Sequence, residues 1–406
     1  MSSTSTTDHI HRLDKLTVLS RILVAASIHI SSSYLPLFDA SPSTFLTPPA
    51  SRSFASPLLR WDAFHFVAIA KEGYSHDQHW AFFPGVPLLL RIAHRLPVLF
   101  VDHTTSALAW VALLHASIAI PTTRAIYHLT LIHFRSPSFA LLTALLSLLP
   151  ASPATLYFAP YAEPIFTFLS YRGMLACARK HYFSASLYLA AAAAFRSNGI
   201  LLALYVPWSL LIDPLLLSFT LPSPSMVLRA CFHALLPLLP SLFHQINAYR
   251  AFCIPNPTPD AQRPPWCNNV IPSIYAHVQR TYWHVGFLSY WTPAQLPNIV
   301  LALPLIVPLL FHSVSHASLR IRGKSGILRP STTTVHAVHA TILCITLLTN
   351  AHTQIALRLL PALPSTYWSV AALLVERPWW GRAYVVWAVL WCAASVVLWA
   401  TFLPPA

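Results

Sequence analysis

Long apolar runs, broken by short polar and proline-rich segments, fill most of this sequence. Residues 16–37, 108–127, 138–156, 164–178, 200–217, 227–247, 299–311, 335–348 and 384–403 each read as an apolar helix. Shorter stretches lie at 182–195 and 366–377. At about 20 residues per crossing, the pattern predicts an all-α protein with roughly ten membrane spans. Residues 1–15 are polar and Ser/Thr-rich and read as a disordered cytosolic tail. Residues 16–403 read as a single polytopic membrane domain.

Two polar stretches are too long to be simple turns: 38–105 and 248–296. In the first, Trp61, Phe64, Phe66, Val67, Ile69 and Ala70 recur at mixed helical spacing up to Gly73. That predicts a short amphipathic helix at the membrane surface. Residues 87–96 set Arg91, His94 and Arg95 against Leu88, Leu89, Leu90 and Ile92. This segment is too short to span and reads as a second interfacial helix.

Composition agrees with the pattern. Hydrophobic residues make up 56% and charged residues 9%, whereas a soluble domain is about one quarter charged. The formal charge of +14 comes from scattered basic residues with no continuous patch, so nucleic-acid binding is excluded. The basic excess concentrates at 172–181 and 320–329, which the positive-inside rule places on the cytosolic side. The first apolar run follows Arg12 and Lys15 without a small-residue cleavage site, so it reads as an anchor with a cytosolic N-terminus. Alternating the spans then puts 38–105, 151–163, the region around 196, 248–296 and 350–365 on one non-cytosolic face. Cys253 and Cys267 bracket a Pro-rich loop and can pair if that loop is lumenal.

Against this background, Arg60, Asp62, His65, Lys71, Glu72, His76, Asp77 and His79 fall within twenty residues. Membrane proteins keep ionisable groups near the apolar layer mainly where they do chemistry or line a polar cavity. Asp62 and His65 are three apart and share a helical face. Glu163, the only carboxylate between Asp102 and Asp213, is either a site residue or a helix N-terminal Glu favoured by the dipole, with Pro164 beside it. Arg196-Ser197-Asn198-Gly199, between apolar runs, suggests a broken helix facing a cavity. Arg358 follows Gln354 by four residues on one helical face. No Gly-rich phosphate loop, Cys-x-x-Cys pair or nucleophile elbow occurs. His336 and His339 are three apart, but in a span with no carboxylate nearby, so no metal site is expected there. A single carboxylate with Arg, His and aromatic neighbours suits glycosyl transfer from a lipid-phosphate sugar. One base takes the acceptor proton, and cations steady the leaving phosphate.

Several blocks resemble one family. They are Arg60-Trp61-Asp62-Ala63-Phe64-His65-Phe66 with Gly73-Tyr74 and Phe82-Phe83-Pro84; Ser152-Pro153-Ala154 with Tyr161-Ala162-Glu163; Ser197-Asn198-Gly199; and Gln279 with Tyr282-Trp283, Val285-Gly286-Phe287-Leu288 and Tyr290-Trp291. A tail of Gln354, Arg358, Leu363-Pro364 and Tyr367-Trp368 is also similar. In this order, over about residues 60–368, they resemble the GPI mannosyltransferase 2 (PIG-V) family of GT-C glycosyltransferases. The resemblance implies a GT-C architecture in the endoplasmic reticulum membrane with a lumenal active site. It implies mannose transfer from dolichyl-phosphate-mannose to the first mannose of a GPI-anchor precursor, through an α-1,6 linkage. It implies no metal or other cofactor and, in some fungi, a small membrane subunit as partner. Asp62 falls on the first-loop aspartate expected as catalytic base. His65 and Arg358 are expected at the donor phosphate. Glu163, Asn198, Gln279 and Tyr282 are expected in the acceptor pocket, with Trp61, Trp283 and Gln354 as further substrate contacts. One departure is Asp77, where the family tends to carry Glu, which keeps the charge and shortens the reach.

Two other readings remain at this level. A sibling GT-C transferase acting on another acceptor shares the loop aspartate but not the Tyr282-Trp283…Gly286-Phe287 block. A transporter of lipid-linked substrates should show repeated span patterns, and none is visible.

Overall fold

The computed structural model describes residues 3–46, 54–100, 102–218, 220–254, 263–321 and 333–404. All regular structure among them is helical. The helices that matter for the site are α1 (Ser3–Tyr34), α2 (Asp62–Glu72), α3 (Gly85–Ala93), α4 (His103–Ser117), α5 (Ala119–Phe134), α6 (Pro137–Leu146), α7 (Glu163–Ala178) and α8 (Tyr182–Ala193). They continue with α9 (Pro224–Phe252), α10 (Ile274–Trp283), α11 (Leu296–Ile321), α12 (Thr334–Thr349), α13 (Pro364–Glu376) and α14 (Pro378–Ala400).

Six helices among the described residues are long and apolar enough to cross a membrane. A seventh span results if Thr353–Ala362 and α13, which meet at 90°, count as one. By length and composition this is six or seven, against the roughly ten that the sequence pattern predicts. The difference lies in the expected spans 138–156, 164–178 and 335–348, which fall on α6, α7 and α12, helices of 10, 16 and 16 residues. At 1.5 Å per residue, even the longest is about 24 Å, short of a hydrocarbon layer of about 30 Å.

The N-terminal segment also departs from expectation. Residues 3–15 continue the first apolar helix instead of forming a disordered tail. The cause is packing along α5. Leu13 is fully buried, Asp14 pairs with Arg124, and Thr17 hydrogen-bonds Thr123 at 3.3 Å.

Both short helices of the first polar loop are present, as α2 and α3. α2 ends at Gly73, whose φ of 81° suits glycine best. Arg91 of α3 donates from Nε to Ala70 O at 2.8 Å and from Nη2 to Ile69 O at 3.0 Å. It thereby satisfies carbonyls at the end of α2. Phe66 and Val67 of α2 pack with Leu90 of α3 and Leu108 and Val111 of α4.

The loop is anchored on the C-terminal end of α14. Arg60, 1% exposed, donates to Ser56 O, Leu59 O and Ala400 O. Trp399 donates from Nε1 to Pro57 O at 2.9 Å. A cation at a helix C-terminus opposes the negative end of the dipole. The larger core, shared by α5, α6, α7, α8, α11, α12 and α13, lies apart from this first-loop core. In the second polar stretch, Cys253 and Cys267 form a disulfide, and Trp266, Ile274 and Val278 pack around it with Trp80 of the first loop.

Candidate active site

Four charged side chains from distant parts of the chain meet where α2 and α7 begin. Arg358 forms an ion pair from Nη2 to Asp62 Oδ2 at 3.0 Å and donates a hydrogen bond from Nε to Glu163 Oε1 at 2.7 Å. Arg196 reaches the same Glu163 oxygen from Nη1 at 2.5 Å. Asp62 and Glu163 each open a helix, where a negative charge is favoured. Arg196 precedes the 3₁₀ segment Ser197–Leu204, and Arg358 sits in the short helix Ala356–Leu359. Two carboxylates and two guanidinium groups balance, as buried charges must.

Exposure separates the two acids. The Glu163 side chain is 2% exposed and that of Asp62 34%. Glu163 is an internal strut, and its Oε2 has no hydrogen-bond partner among the described residues. Asp62 faces outward. Arg358 takes its Oδ2, and Oδ1 has no ion-pair partner among the described residues.

The backbone before Asp62 is strained. Trp61 has φ 50° and ψ −123°, a region that residues with a Cβ avoid. Tyr161 holds both sides of it. Its hydroxyl accepts from the Asp62 N–H at 3.0 Å and donates to Arg60 O at 3.2 Å. The Trp61 ring stacks on Phe402 at 5.0 Å. The Arg358 guanidinium lies 4.6 Å from the centre of the Tyr161 ring, a cation–π contact. Strain fixed from two sides points Asp62 away from the loop core.

The other candidates arrange around this centre. His65, one turn along α2, stacks on Phe82 at 4.6 Å, and Phe82 meets Trp283 edge-on at 5.9 Å. Burial holds the His65 imidazole below the usual histidine range, against the pull of Asp62. It therefore presents a neutral hydrogen-bonding group. His352 donates from Nε2 to Trp283 O at 2.8 Å. Tyr282 bonds both oxygens of Asp77, which ties the two polar loops together. Its hydroxyl is thus committed to the protein. Asn198 lies next to Ser197, whose hydroxyl bonds Tyr275 at 2.8 Å, and its Oδ1 is buried without a partner among the described residues. A Cβ on Gly199 would lie 2.5 Å from Ala193 Cα, which explains glycine in that block. Gln279 and Gln354 are half-buried, each one turn ahead of Tyr282-Trp283 and Arg358 respectively.

A model of the mannosyltransferase (PIG-V) family matches residues 12–406. The chain belongs to that family. This makes it a glycosyltransferase. Among curated relatives, it is 32% identical to GPI mannosyltransferase 2 of Cryptococcus neoformans, over 96% of each chain. It is 32% identical to the Gibberella zeae protein of the same name, over 94% of each. It is 30% identical to GPI alpha-1,6-mannosyltransferase 2 of Rattus norvegicus, over 79% of this chain and 74% of that one. Among solved structures, the apo oligosaccharyltransferase of Archaeoglobus fulgidus superposes with a TM-score of 0.44 at 11% identity. That match covers 95% of this chain, which spans just over half (56%) of the other.

Within this PIG-V mannosyltransferase, sequence reasoning missed two members of the central cluster. Arg196 is visible in the sequence as a lone cation between apolar runs, but only the fold shows it on Glu163. Tyr161 stood next to Glu163 in a matched block, and nothing in its spacing revealed the bond to Asp62. His336 and His339 lie outside the site. Both ring Nδ1 atoms meet the Tyr205 hydroxyl, at 3.2 and 3.0 Å, in the core.

Proposed function

We propose that this membrane enzyme transfers mannose from dolichyl-phosphate-mannose to the first mannose of a GPI-anchor precursor. The product carries a second, α-1,6-linked mannose. What carries this reading is that relatives named for GPI mannosyl transfer align over nearly the whole chain. Supporting it, the residues matched by the family model include an outward-facing carboxylate paired with a single arginine.

Asp62 takes the proton of the acceptor hydroxyl through Oδ1. The acceptor oxygen attacks C1 of the donor mannose as the C1–O bond to phosphate breaks. Dolichyl phosphate leaves with the electron pair, and the anomeric centre inverts. Arg358 offers positive charge to the departing phosphate through Nη1, which neither carboxylate uses. His65 adds a neutral hydrogen bond on the donor side. Glu163, Asn198, Gln279 and Tyr282 shape the acceptor side, with Trp61, Trp283 and Gln354 as further walls. The reaction needs no metal or other cofactor. The enzyme works in the endoplasmic reticulum membrane in the GT-C manner, with a cytosolic N-terminus and the site facing the lumen. A small membrane subunit is its expected partner.

The test is mannose transfer in microsomes lacking their own second GPI mannosyltransferase. Wild type should add a second mannose to the GPI intermediate. Asp62→Asn should lose about 10²- to 10⁴-fold of the rate, the usual share of a general base, and accumulate the one-mannose species. Full transfer by Asp62→Asn overturns the base assignment. An untouched one-mannose species with wild type, with or without the candidate subunit added, overturns the acceptor assignment.

A further inference from the structure

A basic cleft lies at the far end of α2 from Asp62. Four basic side chains line a cavity of about 380 Å³ there. Lys71 comes from the last turn of α2, Arg91 from α3, and His94 and Arg95 from the turn after α3. All four residues are exposed, so their polar ends are open to a ligand. Val67, Leu90 and Ala107 form an apolar floor, and no Asp or Glu lines the cavity among the described residues. Its volume falls within the roughly 300–1,000 Å³ usual for small-ligand sites.

Neighbouring charges leave a positive excess. Asp102, the N-cap of α4, accepts from the Thr105 N–H at 2.8 Å and from the Thr105 hydroxyl at 2.6 Å, and its charge acts on Lys71. Lys71 Nζ also lies 5.8 Å from the centre of the Phe45 ring. The charge of Glu72 acts on His79. Arg91 gives Nε and Nη2 to carbonyls at the end of α2, which leaves Nη1. Neither Arg91 nor Arg95 forms a salt bridge among the described residues. With Asp102 set against Lys71, the two guanidinium charges stay uncompensated.

Position makes this a membrane-surface cleft. Thr104, in the first turn of the membrane-crossing stretch His103–Phe134, stands on its wall. The end of a span lies at the level of lipid headgroups. Leu88 and Ile92 are four apart on α3, Leu96 continues the row, and all three are exposed. Arg91 and Arg95 run beside that row, as in a helix lying in the interface. A headgroup in the cleft can therefore keep its acyl chains on the apolar row.

We propose that this cleft binds the phosphodiester headgroup of an anionic phospholipid, with Arg91 and Arg95 on the phosphate and Lys71 and His94 beside them. Guanidinium groups match phosphate oxygens in geometry as well as charge. Clustered basic residues at a membrane surface attract anionic lipids. The apolar row favours a lipid over a free phosphate. The bound lipid joins the end of α2 to α3 and to the start of α4, and so braces the helix that Asp62 opens. This site stands independently of the mannosyl-transfer reading.

The test uses the purified full-length protein in lipid nanodiscs. Thermal unfolding is followed as phosphatidylinositol replaces phosphatidylcholine. For wild type, the midpoint should rise by several degrees and saturate, as binding to the folded state requires. The double variant Lys71→Gln with Arg95→Gln should lose most of that rise. Lys180→Gln, which removes an exposed charge between α7 and α8, should keep it. Equal wild-type midpoints in both lipids overturn the proposal, as does a full rise in the double variant or an equal loss in Lys180→Gln. If the double variant does not fold, Arg95→Gln alone decides: a reduced rise supports the site, and an unreduced one overturns it. Glycerophosphoinositol, the same headgroup without chains, is then added to phosphatidylcholine discs. No rise supports a lipid site, and the full rise overturns it in favour of a soluble phosphate ester.

Discussion

Tyr282 donates its hydroxyl to the carboxylate of Asp77, 2.8 and 2.9 Å from the two oxygens, across 205 residues of sequence. His277 lies 4.0 Å from the same carboxylate. The contact joins the first polar loop to α10. Tyr282 is 44% exposed, so solvent cuts the bond well below the roughly 1.5–3 kcal/mol of a charged hydrogen bond. Tyr282→Phe should leave the unfolding midpoint almost unchanged and raise the acceptor KM several-fold, with kcat little affected. Steady-state kinetics checks this. An unmoved KM would show that the contact does not shape the acceptor side.

Glu163 and Arg196 form a buried pair whose role is to hold Arg358. Removing one partner of such a pair costs about 3–5 kcal/mol. Glu163→Gln should therefore lower the unfolding midpoint sharply, since it leaves Arg196 and Arg358 facing each other. Arg196→Met should lower both the midpoint and kcat, the latter by about tenfold or more. Arg196→Lys, which keeps the charge, should recover part of each. If Arg196→Met matches wild type in rate and midpoint, the pair does not position Arg358.

His65 carries a pH prediction with a defined sign. Burial holds its pKa below the usual value, with Asp62 opposing. The unfolded chain takes up a proton near pH 6.5 that the folded chain resists. This term therefore lowers stability as pH falls below about 6.5 and is absent above it. His65→Gln should flatten the acid side of the midpoint-versus-pH curve and leave the neutral side alone. An unchanged acid slope would assign that loss to another group.

The Cys253–Cys267 bond closes a loop with a sequence separation of 14. A crosslink of that span is worth about 3 kcal/mol. Cys253→Ser should lower the midpoint and reduce transfer, because the bond packs against Trp80 and the α10 residues Ile274 and Val278. Reducing wild type should reproduce the shift. Equal midpoints for oxidised and reduced protein would place the stabilisation elsewhere.

Much of this was readable one residue at a time. Hydrophobic runs alone announce an all-helical membrane protein, because backbone groups in an apolar layer must be satisfied within the segment. The scarcity of charge made Asp62, Glu163 and Arg358 conspicuous before any geometry. Gly73 marked the end of α2, since the chain there needs a positive φ.

What periodicity does not give is length. The apolar helices α6, α8 and α12 stop at 10, 12 and 16 residues and bury only part of their surface, and an apolar side chain has the same composition whether it faces a neighbouring helix or lipid. The tail before residue 16 looked too polar for a helix, and only its packing on α5 makes it one.

The sequence by itself determined which residues carry charge through an apolar chain, and hence the short roster from which a site had to be drawn. Tertiary structure decided their partners. Arg358 joins Asp62 to Glu163, Arg196 joins the same oxygen, and Tyr161 holds the strained turn at Trp61. Those contacts run from 33 residues apart, between Glu163 and Arg196, to 296 apart, between Asp62 and Arg358, beyond the reach of helical spacing. Side-chain charges interact over a few ångströms, and only the folded bundle brings such distant helix ends that close.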